Sequence, residues 1–264
     1  MPLRQALVGE FVGTFFLVFA GTGAIVIDAL THAITHLGVA LVFGLVVAAL
    51  VYSLAHVSGA HFNPAVTIGF WASREFPSKR VPLYIAAQVL GAIFASLVLR
   101  SMFGVVASLG ATLPNGPPST SFWLELLMTF LLVFVILGSA VHGLATKSFA
   151  GIAIGSTIAL DGLFGGPISG ASMNPARSFG PAVVAGEWQS QWIYLIAPVA
   201  GALLAVLFYK LVKSQNVLTL SVPAGCELRQ SIPRNHFLAS VSPRLFFMLK
   251  RSYVFENACA GGIS

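Results

Sequence analysis

The sequence predicts an all-α membrane protein: six transmembrane helices plus two re-entrant half-helices, arranged as an inverted three-span repeat. Three observations carry this expectation. Of 264 residues, 57% are apolar and only 8% charged, with a mean hydropathy of +0.89. A soluble domain carries about 25% charged residues, so this chain cannot cover a water-facing surface and belongs in a bilayer. Six apolar stretches are long enough to cross one. Finally, the pattern Ser-Gly-Ala-x-x-Asn-Pro-Ala occurs twice, around Asn63 and Asn174, in segments too apolar for solvent loops and too short to span.

A membrane-spanning helix needs about 20 mostly apolar residues. The qualifying stretches are about 6–27, 36–55, 82–100, 121–141, 149–165 and 190–211. The first follows Arg4, but it contains Glu10, exceeds the apolar run of a signal peptide and precedes five more spans, so it is expected to be a true span. The fifth is short and runs into Gly165-Gly166-Pro167.

Six spans put both termini on one side. With that side inside, the inner segments hold Arg4, Arg74, Lys79, Arg80, Lys147, Lys210 and Lys213, against Arg100 in the outer connections and Arg177 in a re-entrant segment. This bias predicts a multi-pass protein of the cell membrane with both termini cytoplasmic. It also accounts for the net charge of +6. The basic residues do not cluster with exposed aromatics on a polar face, so nucleic acid is not an expected partner. The two cysteines, Cys226 and Cys259, build neither a disulfide framework nor a zinc cluster. His32, His56 and His142 show no metal-ligand spacing, and no nucleophile-base set or phosphate loop is found. No metal, cofactor or enzymatic activity is expected.

Residues 56–76 and 166–187 hold the two repeated motifs. Backbone at membrane depth is tolerated only when buried in protein or lining a wet cavity. The motifs lie 111 residues apart, and the repeat extends outward. Glu10-x3-Thr14-Phe15 in the first span matches Glu125-x3-Thr129-Phe130 in the fourth; Gly91-Ala92 in the third matches Gly201-Ala202 in the sixth. The channel domain is expected over 1–213, with repeats at about 5–105 and 120–212. Three spans per half is an odd number, so the second half enters upside down and related elements meet near the midplane.

Asn is a strong helix N-cap and Pro is favoured at the first helical position. Asn63-Pro64-Ala65 and Asn174-Pro175-Ala176 therefore each start a short helix. Each N-terminus carries about half a positive charge, so two facing ones raise a barrier to cations and protons. The Asn amides still donate to a neutral molecule. The backbone before each helix, Gly59, Ala60 and His61 in one half and Gly170 to Ser172 in the other, is expected to be extended and to expose a carbonyl ladder. Donors at the centre and acceptors along the wall suit a small, polar, uncharged solute in single file.

Taken together, GEFVGTFFLVF with Glu10, SGAHFNPAVT, the ELLMTF of the fourth span and SGASMNPARSFGP resemble the aquaporin family, the major intrinsic proteins, over about residues 5–212. The resemblance implies six tilted helices plus two half-helices, a homotetramer with one pore per subunit, and passive conduction of water and small neutral solutes. It implies a four-residue selectivity filter at Phe43, Gly162, Ala171 and Arg177. Strict water channels of the family typically carry His at the Gly162 position, and glycerol-conducting members typically carry Gly there with two aromatics. Here only Phe43 is aromatic, while Ser178 stands where glycerol-type members usually have Asp. Ser178, Ala182, Tyr194 and Leu195 resemble the nodulin-like branch and its bacterial relatives, which implies either a water-dominant pore or a glycerol or metalloid-hydroxide facilitator.

Several residues carry two readings each. Glu10 and Glu125 are expected to brace the re-entrant backbones, because a buried carboxylate needs donors; a proton relay is the alternative. Asp161 either faces the outer vestibule, caps a bend or contacts solute. His61 is a satisfied buried histidine or a gate. Residues 214–264, with Pro223, Pro233 and Pro243, are expected to form a disordered cytoplasmic tail whose Lys250-Arg251 could touch the membrane surface. Secondary active transport, which also uses inverted repeats, is disfavoured because the midplane offers amides rather than titratable groups. An ion channel is disfavoured by Arg177 and the facing helix N-termini.

Overall fold

A computed structural model describes residues 2–141 and 147–212. The expected tail, together with Lys213, His142 and the cysteines, lies outside the described residues. Six helices are long and apolar enough to cross a membrane: α1 (Leu3–Thr31), α2 (Thr35–Ser58), α4 (Val81–Phe103), α5 (Pro118–Ile136), α6 (Ala150–Ser169) and α8 (Gln191–Val212). Two shorter helices, α3 (Pro64–Ala72) and α7 (Pro175–Ala185), follow the repeated motifs.

The helices outrun their apolar stretches by three or four residues at half of their ends and agree within one residue at most of the others. At the end of the fourth stretch, α5 stops at Ile136 and a π-helical turn completes it over Leu137–Val141. The fifth stretch continues past Gly165-Gly166 and through Pro167 to Ser169. Proline lacks the N–H that would bond the carbonyl four residues back and usually breaks a helix. Here that carbonyl, Leu163 O, lies 2.8 Å from His36 Nε2, so a side chain from α2 takes the missing donor's place.

Within each half, the first helix packs on the other two spans: α1 on α2 and α4, α5 on α6 and α8. The halves join along α2 and α6. Each half-helix crosses to the other half, α3 onto α8 and α7 onto α4. Close helix contacts require small residues. A Cβ on Gly91 would lie 2.5 Å from Phe11 O, and one on Gly201 would lie 2.1 Å from Leu126 O. These are the same contact in the two repeats. At the α2–α6 seam, a Cβ on Gly44 would meet Gly155 O at 2.5 Å.

The polarity is inside out compared with a soluble domain. Leu45, Leu90, Trp123, Leu127 and Leu207 are exposed, while Glu10, Gln88, Glu125 and Arg177 are buried. Lipid replaces water outside, so the apolar surface needs no cover there. The buried polar groups need partners, and those partners build the site.

Candidate functional site

Asn63 and Asn174 cap α3 and α7. Asn63 Oδ1 accepts from Ala65 N at 2.8 Å; Asn174 Oδ1 accepts from Ala176 N at 3.0 Å and Arg177 N at 3.3 Å. Pro64 and Pro175 occupy the first helical position, where no N–H is needed. Each amide also donates across the repeat axis. Asn63 Nδ2 bonds Met173 O at 2.7 Å, and Asn174 Nδ2 bonds Phe62 O at 2.8 Å. An amide nitrogen has two N–H bonds, so each Asn keeps one for a guest.

The backbone leading into each half-helix is not extended. Gly59, Ala60 and Phe62 have φ of 92°, 53° and 50°, and Gly170, Ala171 and Met173 have 83°, 41° and 52°. The left-handed region is unfavourable for non-glycine residues, so something must hold them there. Two carboxylates do. Glu10 accepts from His61 N at 3.0 Å, Phe62 N at 2.7 Å and Gln88 Nε2 at 2.8 Å. Glu125 accepts from Ser172 N at 2.8 Å, Met173 N at 2.7 Å and Ser169 Oγ at 2.8 Å. Tyr84 and Tyr194 add matched bonds to Ser58 O and Ser169 O. The physical reason for the departure is that a winding backbone can aim two consecutive N–H groups at one carboxylate.

A cavity of about 620 Å³ lies among the described helices. It is lined by Phe43, Gly162, Ala171 and Arg177, by Asn63 and Asn174, and by Gly59, Ala60, His61, Gly170 and Ser172. Asp28 and His36 lie toward one end; Tyr52 and His56 lie toward the other. Among the described residues, no hydrogen bond ends on the carbonyls of Gly59, Ala60, His61, Gly170, Ala171 or Ser172. Pro64, Ala65, Pro175 and Ala176 sit behind the wall, all buried.

Arg177 is 2% exposed. Its Nη1 donates to Gly110 O at 2.8 Å, and its Cζ lies 5.1 Å from the Phe43 ring centroid, within range of a cation–π contact. Its buried Nε has no partner among the described residues. A Cβ on Gly21 would lie 2.1 Å from the Phe43 ring, so α1 offers that ring a flat seat. His61 is buried, with Nδ1 3.1 Å from Thr67 Oγ1 and its ring stacked on Phe70, an arrangement that partners its ring through neighbouring side chains. Asp161 corresponds to none of its three readings: it is fully buried, is absent from the cavity wall, and neither carboxyl oxygen has a hydrogen-bond partner among the described residues.

Sequence reasoning missed the segment 104–117, which supplies Gly110 and Thr112, and it missed Gln88, Thr67 and Gly21. Only Gln88, a polar residue inside an apolar span, carried a visible signal. Among the described residues, no three metal-ligating side chains come together.

Residues 1–209 match the family described as major intrinsic protein. Nodulin-26 of Glycine max is 51% identical over 215 residues, covering 81% of this chain and 79% of its own. Aquaporin NIP3-1 of Arabidopsis thaliana is 52% identical over 219 residues, covering 80% of this chain and 68% of its own. Both are plant proteins, which corrects the bacterial side of the resemblance while keeping its nodulin-like side. Among solved structures, the aquaglyceroporin from Plasmodium falciparum superimposes with a TM-score of 0.71 at 28% identity, over 78% of this chain and 95% of that one.

Proposed function

The chain belongs to the major intrinsic protein family and is a multi-pass membrane channel, not an enzyme, for water and small uncharged solutes; we propose that Phe43, Gly162, Ala171 and Arg177 form its selectivity filter and that the opening admits glycerol-sized molecules as well as water. The observation that carries this reading is the filter's composition. Two of its four walls, Gly162 and Ala171, contribute no side chain larger than a methyl group. Phe43 supplies an apolar face and Arg177 supplies donors, a combination that suits a polyol or a metalloid hydroxide with one carbon or hydroxyl edge on each side.

At the centre, the free N–H of Asn63 and Asn174 donates to the oxygen of a passing molecule. A water held this way turns its own hydrogens away from the pair, toward both exits. No water at that point can accept a proton from one neighbour and pass it to the next. The half-helix N-termini oppose a cation there, each with about half a positive charge. On either side the six free carbonyls accept hydrogen bonds, replacing the bonds that solute leaves behind in bulk water.

We also propose that both termini are cytoplasmic in a plasma-membrane protein. Arg4, Arg74, Lys79 and Lys210 support this: Lys210 Nζ approaches Ala72 O at 3.4 Å, so the ends of α8 and α3 share a side. A homotetramer with one pore per chain rests on the family resemblance and on a cavity complete within one chain.

The experiment is stopped-flow light scattering on proteoliposomes, for water under an impermeant osmolyte and then for glycerol. Glycerol is expected to enter. The Gly162→His variant is expected to keep water flux and lose most glycerol flux. A Cβ there sits 3.2 Å from Ala40 Cβ, so the ring has to turn into the cavity that both residues line. Undiminished glycerol entry through Gly162→His would mean that residue 162 is not in the filter.

A further inference from the structure

The two repeats share their carboxylate-to-backbone and tyrosine bonds but differ around the residue four after the motif Asn. Thr67 and Ser178 each lie four residues after the motif Asn. In the first half, Thr67 Oγ1 donates to Asn63 O at 2.9 Å and accepts from Gln88 Nε2 at 2.9 Å. Gln88 stands on α4, a rigid span. Tyr84 pairs with Tyr194 and Gly91 with Gly201, so the residue matching Gln88 is Pro198, which has no side-chain donor. In the second half the donor comes from elsewhere. Thr112, in the segment between α4 and α5, donates to Ser178 Oγ at 2.8 Å.

Hydroxyl bookkeeping gives this contact a direction. Ser172 Oγ donates to Asn174 O at 2.9 Å. With its only hydrogen used, it accepts from Ser178 Oγ, which lies within hydrogen-bond distance. Ser178 in turn accepts from Thr112. A single chain of donors therefore runs Thr112, Ser178, Ser172, Asn174 O, from an inter-helix segment to the motif at the pore centre. Thr112 is 1% exposed, and its own carbonyl accepts from Gln191 Nε2 at 3.2 Å. Two residues before it, Gly110 O makes the only described hydrogen bond to the Arg177 guanidinium.

We propose that the Thr112–Ser178 hydrogen bond is a clasp that determines specificity: by pinning the 104–117 segment to the helix carrying Arg177, it fixes the Gly110 carbonyl, and through it the guanidinium and the cutoff between water and glycerol-sized solutes. Thr112 and Ser178 are positioning residues; neither reaches the solute. This rests on the filter assignment above. Removing either hydroxyl loosens the segment two residues from Gly110, where Gln191 on the Thr112 carbonyl and Glu187 on Ser108 remain; the guanidinium gains room, and the opening to larger solutes widens.

The test uses the full chain in proteoliposomes and reads the glycerol-to-water permeability ratio, which does not depend on how many channels are active. Ser178→Ala and Thr112→Val are each expected to raise the ratio about fivefold, the scale of one buried hydrogen bond. Combining them should add nothing to Ser178→Ala, which already removes the Thr112 bond together with its own donation to Ser172. Thr112→Ser keeps the donor and is expected to restore the parental ratio. A parental ratio in both Ser178→Ala and Thr112→Val, with Arg177→Ala altered, overturns the clasp and leaves the filter. A proportional loss of both permeabilities, with the ratio unchanged, also overturns it. A parental ratio in Arg177→Ala overturns the filter reading itself. If Ser178→Ala does not fold, Thr112→Val decides, since it changes only the segment's side of the bond.

Discussion

Glu125 concentrates the residue-scale argument. Its carboxylate, itself fully buried, takes two backbone N–H groups and one hydroxyl inside the protein, at 2.7 to 2.8 Å. A buried donor left without a partner costs about 1–3 kcal/mol. Glu125→Gln keeps one acceptor oxygen and turns an NH2 toward the second donor; Glu125→Leu strands both. Thermal unfolding in detergent is therefore expected to rank parent above Gln and Gln above Leu, with about 2–6 kcal/mol lost for Leu. A proton relay predicts another pattern, unchanged stability with altered proton flux, and that result would remove the brace reading. The carboxylates were legible in the sequence because a charge at membrane depth is rare and usually has a task, and because Glu10 and Glu125 occupy matching places. Their chemistry was legible; the conformation they hold was not. Extended backbone is the default expectation for a Gly-rich run, and only the geometry of two N–H groups converging on one carboxylate turns Ala60, Phe62, Ala171 and Met173 left-handed. Asp161 was legible as an oddity, and nothing among the described residues partners it.

At the scale of elements, hydropathy located all six spans and the Asn-Pro pairs located both half-helices, since each signal is local to the chain. Their ends depended on neighbours. The passage of α6 through Pro167 needs His36 from α2 to cover Leu163 O, and no window of sequence contains both. The same holds for residues 104–117, where only the folded chain sets Gly110 and Thr112 against Arg177 and Ser178. Small residues at helix contacts were legible in the matched pairs Gly91-Ala92 and Gly201-Ala202, although their partners were not. Gly201 against Leu126 O is the tightest of these, leaving no room for a Cβ. Gly201→Val must push α8 away from α5 or strain both helices, and overpacking costs about 1–3 kcal/mol. Because α8 also supports α3, the displacement reaches Asn63. The expected result is lower thermal stability together with reduced water flux per folded channel. Parental stability in Gly201→Val would show that the α5–α8 contact is looser than described.

At the scale of the whole molecule, the inverted repeat decides what kind of transport is possible. A secondary transporter built from inverted repeats alternates between two arrangements around a midplane site, with unwound carbonyls and helix C-terminal ends coordinating the coupling ion. Here the midplane is closed differently. Both helix ends that meet there are N-termini, each Asn bonds the opposite repeat, and the carbonyls that could hold a cation lie on either side of the centre rather than at it. The cross-repeat bonds from Asn63 to Met173 O and from Asn174 to Phe62 O also resist the rocking of one half against the other. One cavity is lined both by the motif Asn residues and by the proposed filter residues, which fits a conducting path within a single arrangement of the helices. Three outcomes follow for proteoliposomes holding the full chain. Water flux is expected to be equal under inward and outward osmotic gradients. It is expected to stay unchanged when sodium and proton gradients are imposed or collapsed. A voltage step across the same membrane is expected to draw no current above that of empty vesicles. Gradient-dependent flux would revive the transporter; a measurable cation current would mean that the two half-helix ends do not present the barrier that their facing arrangement supplies.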